Sequence, residues 1–230
     1  VIWSGMGVLF ADATKELQEF SELIEIPVYT TMPGKSSFDE RHPLALGSGS
    51  SSTSRQARTW LQESDVLFAV GSSMTRTGYG QPIPDGKVII HNVETIEDIN
   101  KDFSVDVGLP GDAKLTLQAM IAEVKAQAGE NGRKGTTGVA AEIKGIRDGW
   151  MAEWTPLLNS DEVPINTYRV IGEIERNLDK ENSIVTHDAG APRDTMMPFY
   201  PGTTPHSYIG WGKTTHLGYG IPLMIGAKLA

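Results

Sequence analysis

The sequence has 230 residues, no cysteine and a formal net charge of −9 at pH 7. The lack of cysteine excludes disulfides, thiolate catalysis and cysteine-bound zinc from this stretch of chain. The acidic balance argues against nucleic-acid and anionic-membrane partners, because a phosphate backbone favours clustered Lys and Arg. The sequence also has no run of 18 apolar residues that could cross a membrane. We therefore expect a globular cytoplasmic protein.

Short apolar runs alternate with helical periodicity along the first 127 residues. This alternation predicts an α/β fold with a parallel sheet and helices on both faces. Strands are predicted at residues 1–4, 27–31, 65–71 and 87–91, and helices at residues 12–25, 54–64 and 112–127. A continuous apolar run is typical of a central strand covered on both sides, and here it comprises Val66, Leu67, Phe68, Ala69 and Val70. In the helix at 112–127, the predicted apolar face comprises Leu115, Leu117, Ile121 and Val124.

The segment AGENGRKGTTG at residues 128–138 is small, polar and without periodicity, which predicts a linker. A helix at 139–158 follows, and then a second α/β unit begins with a helix at 167–178 and a strand at 183–187. We therefore expect a central domain at residues 1–127, a linker and connecting helix at 128–163, and part of a second unit at 164–230. The chain starts in a strand-like run and stops in an apolar helical pattern at 217–230, so we expect a truncated fragment of a longer protein.

Three loops are predicted to follow strands at the carboxyl edge of the first sheet, where open α/β sheets bind ligands. Gly5 and Gly7 lie in the first loop, Lys35 in the second and Arg76 in the third. Backbone amides and cations in such loops suit an anionic nucleotide, although plain connections have the same composition. The third glycine and the acidic residue of a dinucleotide fingerprint are missing, which argues against an NAD-dependent dehydrogenase.

The five histidines have neither i, i+4 spacing nor cysteine neighbours, so we predict no metal site in this chain. His187 and Asp188 end a predicted strand, but no Ser or Cys nucleophile on a glycine elbow accompanies them. We therefore assign no catalytic residue.

Several segments match a known family in order and spacing. The segments PVYTTMPGK at 27–35, HPLALG at 42–47 and SDVLFAVG at 64–71 resemble the central domain of thiamine-diphosphate-dependent enzymes of the acetolactate synthase type. The segments IVTHDAG at 184–190 and LGYGIPLMIGAKLA at 217–230 resemble the start of that family's diphosphate-binding domain. The sequence departs from the family pattern at Ser48-Gly49-Ser50, where Met-His-Gly is common, and at Thr215-His216-Leu217, where Gly-Thr-Met is usual.

The resemblance implies a lyase or transferase that acts on a 2-oxo acid or a related donor through thiamine diphosphate and Mg²⁺. In this family the cofactor lies between two subunits, so the resemblance also implies a homo-oligomer, a dimer or a tetramer. The family's catalytic glutamate and its Gly-Asp-Gly metal motif have no counterpart here, so this chain alone is expected to be inactive. Central domains of the family hold FAD, an adenine nucleotide or no ligand.

The resemblance also assigns positions to the cofactor. Asp188 and Gly190 match the strand-end turn before the diphosphate, and Ala191, Pro192 and Arg193 match phosphate contacts. The carbonyl of Thr215 would face the aminopyrimidine, and Leu217 would support the bent cofactor. The residues alone also allow a protein of a different functional class. This would be a non-catalytic nucleotide-binding α/β module that uses Gly5, Gly7, Lys35 and Arg76.

Overall fold

The computed structural model describes residues 1–211 and 216–230. The strands in this part of the chain are β1 Ile2–Ser4, β2 Val28–Thr31, β3 Ala45–Gly49, β4 Val66–Val70, β5 Val88–Val93, β6 Val107–Pro110, β7 Val185–Thr186 and β8 Tyr208–Ile209. The α-helices are α1 Gly7–Phe10, α2 Thr14–Ile24, α3 Arg55–Glu63, α4 Ala113–Ala128, α5 Val139–Leu158, α6 Thr167–Asn177, α7 Ala191–Phe199 and α8 Gly220–Leu229, with a 3-10 turn at Ile96–Asp98.

Strands β1 to β6 form one parallel sheet in the order β3-β2-β1-β4-β5-β6, and β7 pairs in parallel with β8 in a separate sheet. The predicted parallel α/β architecture is confirmed, and β4 lies in the middle of the sheet between β1 and β5. The sequence pattern does not predict the outer strands β3 and β6. Their segments ALGSG and VGLP carry glycine, serine and proline where an apolar run is expected.

Helices cover both faces of the large sheet, as predicted. Alternate residues of one strand point to opposite faces; Phe68 packs with Leu17 of α2 and Leu117 of α4, whereas Leu67 packs with Leu61 of α3 and Ile143 of α5. Each fully buried apolar side chain of this size stabilises the fold by about 1.5–3 kcal/mol.

One residue of the predicted apolar face of α4 is placed wrongly. Leu115 is 66% exposed, whereas Leu117 and Ile121 are buried. The buried side of α4 follows positions 113, 117 and 121, and position 115 falls on the opposite side of a helix with 3.6 residues per turn.

The segment at 128–138 docks against the end of α2. The Glu25 carboxylate accepts hydrogen bonds from the backbone amides of Gly135, Thr136 and Thr137 at 2.6–2.9 Å. The Arg133 amide donates to the carbonyl of Leu23 at 2.8 Å. This segment is therefore fixed to the central unit, residues 1–127, despite its flexible composition.

The second unit, residues 164–230, packs on α5 through aromatic side chains. The rings of Trp150 and Phe199 stack at 4.9 Å, and Trp154 and Tyr168 lie beside them. From the sequence we also expect Trp150, Trp154, Trp211 and the helix at 217–230 to expose large apolar surfaces, but Trp150 is only 7% exposed because this cluster covers it. Helix α8 does expose apolar side chains: Ile221, Ile225 and Leu229. Among the described residues, no helix has the length and apolar content needed to cross a membrane.

Candidate functional site

A crevice opens where the strand order of the central sheet reverses. The chain runs outward from β1 to β2 and β3 on one side and from β4 to β5 and β6 on the other. Open α/β sheets bind ligands at such a switch point, beyond the carboxyl ends of the strands. The loops after β1, β2 and β4 enclose a cavity of about 590 Å³ there, which we call the switch-point crevice. Its volume falls within the range of cofactor sites.

Glycines let the two central loops interlock beneath the crevice. A Cβ added to Gly5 would lie 2.3 Å from the Gly71 carbonyl oxygen, and one added to Gly7 would lie 2.8 Å from the Gly71 Cα. The Gly7 amide donates to the same Gly71 carbonyl at 2.8 Å. Gly5 and Gly7 line the crevice, as predicted for a ligand loop. Their lack of side chains is required by the close approach of the two loops.

Arg76 lines the crevice and is held in place by Asp102 and Phe103. Its amide and Nε donate to the carboxylate and carbonyl of Asp102 at 2.8 and 3.1 Å, and its guanidinium lies 4.4 Å from the centre of the Phe103 ring. Among the described residues, no Asp, Glu or Lys lines the cavity beside it. A cation facing an otherwise apolar and hydroxyl-lined cavity suits an anionic ligand that carries a flat ring.

Sequence reasoning misses the residues that hold this loop. Asp102 lies 26 residues after Arg76 and is brought beside it by the β5–β6 crossover. His91 of β5 is fully buried, and its Nε2 bonds to the Ser72 carbonyl at 2.6 Å. A histidine within an apolar strand is only a weak indication that it holds the loop of Arg76. Asp102 lies in no sequence motif that would indicate this role.

Lys35 lies outside the crevice. It is fully buried, and its Nζ donates to Glu40 Oε1 at 2.6 Å and to the Met197 carbonyl of α7 at 3.3 Å. Burial lowers the pKa of Lys35, and the Glu40 carboxylate opposes this shift. From the sequence, Lys35 is expected either to contact an anionic ligand or to lie in a plain solvated connection, but α7 covers this loop. We therefore remove Lys35 from the nucleotide site.

A second candidate site lies at the end of β7. Asp188 follows this strand, and its carboxylate accepts hydrogen bonds from the amides of Gly220, Ala189 and Gly218 at 2.7–3.1 Å. The bond from Gly220, followed by those from Ala189 and Gly218, lowers the pKa of Asp188. Asp188 therefore fastens the turn that starts α8 to the end of β7.

The other predicted cofactor contacts do not all gather at this point. Gly190, with φ +78°, and the exposed Ala191 and Pro192 form the start of α7 beside Asp188. Arg193, by contrast, is buried, pairs with Asp194 at 2.9 Å, and lies 5.1 Å from the Tyr79 ring of the central unit. Its predicted role as a phosphate contact is not supported by this placement. Leu217 is 82% exposed, and Thr215 lies outside the described residues.

The charges of the residues at the end of β7 determine whether a diphosphate can bind there. The start of a helix such as α7 attracts anions, but the Asp188 carboxylate beside it repels them. A diphosphate at this point therefore needs a divalent cation to offset the carboxylate, so the residues fit a metal–diphosphate better than a bare diphosphate. In residues 1–211 and 216–230, no cluster of three or more His, Asp or Glu side chains could hold a metal ion without the ligand.

Comparison with known proteins connects both sites to one family. Residues 1–120 match the family model described as "Thiamine pyrophosphate enzyme, central domain". The whole chain aligns with the probable acetolactate synthase large subunits of Methanococcus aeolicus, at 32% identity, and Methanocaldococcus jannaschii, at 31%. It also aligns over its full length with the acetolactate synthase isozyme 3 large subunit of Escherichia coli, at 25% identity.

The chain spans about two fifths of the length of these relatives, between 39% and 40%. The match covers the switch-point crevice, the connecting helix and the β7 end, so it agrees with the resemblance carried by the segments at 27–71 and 184–230. The chain belongs to the thiamine pyrophosphate enzyme family and contains the central domain of that family.

Proposed function

We propose that this chain forms the central domain and the first part of the cofactor domain of a thiamine-diphosphate-dependent carboligase or lyase acting on a 2-oxo acid. The observation that carries the proposal is the match of acetolactate synthase large subunits to the entire chain. On this proposal, residues 1–127 are the central domain, 128–163 the linker and connecting helix, and 164–230 the start of the diphosphate-binding domain.

Bound thiamine diphosphate supplies a carbanion that attacks a carbonyl and a ring that accepts the resulting electrons. The residues of this chain have a narrower task. The start of α7 at Gly190 and Ala191 offers backbone amides to the diphosphate, and Asp188 fixes the neighbouring turn and favours a Mg²⁺-bound form. Leu217, which projects into solvent from that turn, is available to pack against the cofactor.

The switch-point crevice is proposed as a site for FAD or another adenine nucleotide. Arg76 supplies the charge for a phosphate, and Phe103 with Trp3 and Met74 supplies apolar walls. Calorimetry with ADP and with FAD tests this site. The variant Arg76→Ala should weaken binding at least tenfold, whereas Arg58→Ala, which removes an exposed arginine of α3, should leave it unchanged.

Formation of acetolactate from pyruvate, measured with thiamine diphosphate and Mg²⁺ in the protein that carries this chain, tests the catalytic proposal. Nucleotide binding without any turnover of 2-oxo acids would favour a non-catalytic nucleotide-binding module instead. Homo-oligomerisation and a cytoplasmic location also belong to this proposal. The exposed apolar side chains of α8 support association, and light scattering that shows a monomer at all concentrations would contradict it.

A further inference from the structure

A second cavity of about 480 Å³ lies between the central unit and the second unit. We call it the inter-unit cavity. It is enclosed by the end of β3, the start of α3, one side of α5, and parts of α6 and α7. The residues on which the argument depends are Glu40, Gln56, Arg147, Trp150, Met151 and Phe199. None of them lines the switch-point crevice.

Most charges around the inter-unit cavity are already paired. Glu40 pairs with Lys35 at 2.6 Å, Arg176 with Glu173 at 2.9 Å, and Glu175 with Lys180. Arg147 is the exception, because no carboxylate of the described residues lies within 4.0 Å of its guanidinium. Its hydrogen bond goes to the carbonyl of Ala45, a neutral group.

Arg147 is therefore a partly buried cation with no carboxylate of the described residues in direct contact. Burial lowers the pKa of Arg147, and the more distant carboxylates of Glu40 and Asp148 oppose this shift. Both are committed elsewhere, Glu40 to Lys35 and Asp148 to the exposed Lys144. A guanidinium withdrawn from water in this way gains from any anion that enters the cavity, because its fork of donors matches a carboxylate.

Two further features restrict what such an anion would be. Gln56 is 5% exposed, and its Oε1 has no hydrogen-bond partner, which leaves a buried acceptor without a donor. The rings of Trp150 and Phe199, together with Met151, supply an apolar wall. We infer that the inter-unit cavity binds a small carboxylic acid that also carries a hydroxyl or amino donor and an apolar chain, with its carboxylate on Arg147.

The probe for this site is 2-hydroxy-4-methylpentanoate, compared with 4-methylpentanoate, which lacks the hydroxyl, and with 2-hydroxy-4-methylpentanamide, which lacks the charge. Binding is measured by calorimetry and by the shift in melting temperature. We expect the hydroxy acid to bind best and the neutral amide to bind at least tenfold more weakly.

The variant Arg147→Met should lose binding of both acids at least tenfold, and Arg58→Met, with the same change in net charge, should retain it. Gln56→Met should bind the two acids equally, because the acceptor that distinguishes them is gone. Equal binding of the hydroxy acid to Arg147→Met and to the unaltered protein, or no binding to the unaltered protein, would overturn the inference.

Folding of Arg147→Met is checked separately. Replacing an unpaired buried cation with an apolar side chain should leave the melting temperature of the ligand-free protein unchanged or raise it. If Arg147→Met does not fold, Gln56→Glu provides the second variant. It adds a carboxylate to the wall of the cavity, and should abolish acid binding while leaving the fold intact. Undiminished binding to a folded Gln56→Glu variant would likewise contradict the inference.

Discussion

The loops at the strand ends of the central sheet interlock through backbone packing, whereas the turn at the end of β7 in the second unit is held by one carboxylate. Gly5, Gly7 and Gly71 let two loops meet without side chains between them, and the switch-point crevice lies above this contact. Asp188 instead collects the amides of Gly218 and Gly220 at 3.0–3.1 Å.

These two constructions have different sensitivities. A packed backbone contact is insensitive to pH but tolerates no added atom, because interiors are close-packed. A carboxylate that accepts backbone amides tolerates changes around it but depends on staying ionised. The first arrangement suits a rigid crevice, and the second suits a turn whose geometry depends on local charge.

The largest expected effect comes from the buried ion pair between Lys35 and Glu40, which lies under α7. Replacing Lys35 with Met leaves the Glu40 carboxylate buried and unpaired, and should lower the free energy of unfolding by about 3–5 kcal/mol. Urea unfolding measures this loss. The double variant Lys35→Met, Glu40→Gln should recover most of it, because the amide still accepts from Ser48 and carries no charge. A single variant as stable as the unaltered protein would show that the Glu40 carboxylate does not depend on Lys35 for its counter-charge.

A glycine substitution tests the packed construction directly. Gly5→Ala places a Cβ 2.3 Å from a backbone oxygen that has no room to move, so we expect a loss of about 3 kcal/mol in urea unfolding. Gly145→Ala is the matched control, because it lies inside α5 and its Cβ would meet no atom within 4 Å. This control should stabilise the protein by about 0.5–1 kcal/mol. Equal effects of the two changes would contradict the interlocked-loop description.

A paired carboxylate of the central unit gives a smaller, pH-dependent effect. Hydrogen bonds from Lys134 and Gln18 lower the pKa of Glu22 from 4.5 to about 2. Because the folded pKa is depressed, this stabilisation is present above pH 4.5 and is lost as the pH falls toward 2. The side chain is 25% exposed, so we expect about 1 kcal/mol or less. The difference in urea midpoint between Glu22→Gln and the unaltered protein should be present at pH 7 and nearly absent at pH 2.

The smallest expected effect is local to the second unit. Asp188→Ala removes the acceptor for the amides of Gly218 and Gly220, so hydrogen exchange at the start of α8 should become faster while the central sheet is unaffected. In the unaltered protein, protection of these amides should fall as the pH drops below 3.8, the ordinary pKa of aspartate, because the pKa of Asp188 is lowered. Asp161→Ala, which removes an exposed carboxylate, is the control. Unchanged exchange at Gly218 would show that Asp188 does not hold the turn.

Sequence patterns predict well those helices and strands whose own residues show a clear apolar run or helical periodicity. The run VLFAV of β4 requires cover on both faces and lies in the middle of the sheet, and α5 occupies the predicted residues 139–158. Strands β3 and β6 have no apolar run of their own and form by pairing with β2 and β5. Their sequences alone therefore do not predict strands.

The site residues divide in the same way. Arg76 lies in the predicted crevice because loops that follow parallel strands meet at one edge of the sheet. The partners that hold it, Asp102 and Phe103, come from a crossover whose path the sequence does not specify. Lys35 is misplaced because a polar loop looks solvated unless the docking of α7 and β8 upon it is known. Arg193, whose role as a phosphate contact stays a prediction, is buried beside Asp194 and the Tyr79 ring, and the sequence does not specify the contact with Tyr79.

The anchoring of residues 128–138 bears on how the chain can be cut and extended. Trypsin needs a stretch of backbone that can be drawn out around Arg133 or Lys134, but the Arg133 amide is bonded to Leu23 and the next residues are bonded to Glu25. We therefore expect trypsin to leave residues 128–138 uncut, although the composition of this segment is typical of a flexible linker. For the same reason, we expect extra residues inserted at 128–138 to disturb the end of α2. Such an insertion would not simply increase the movement of the two units relative to each other.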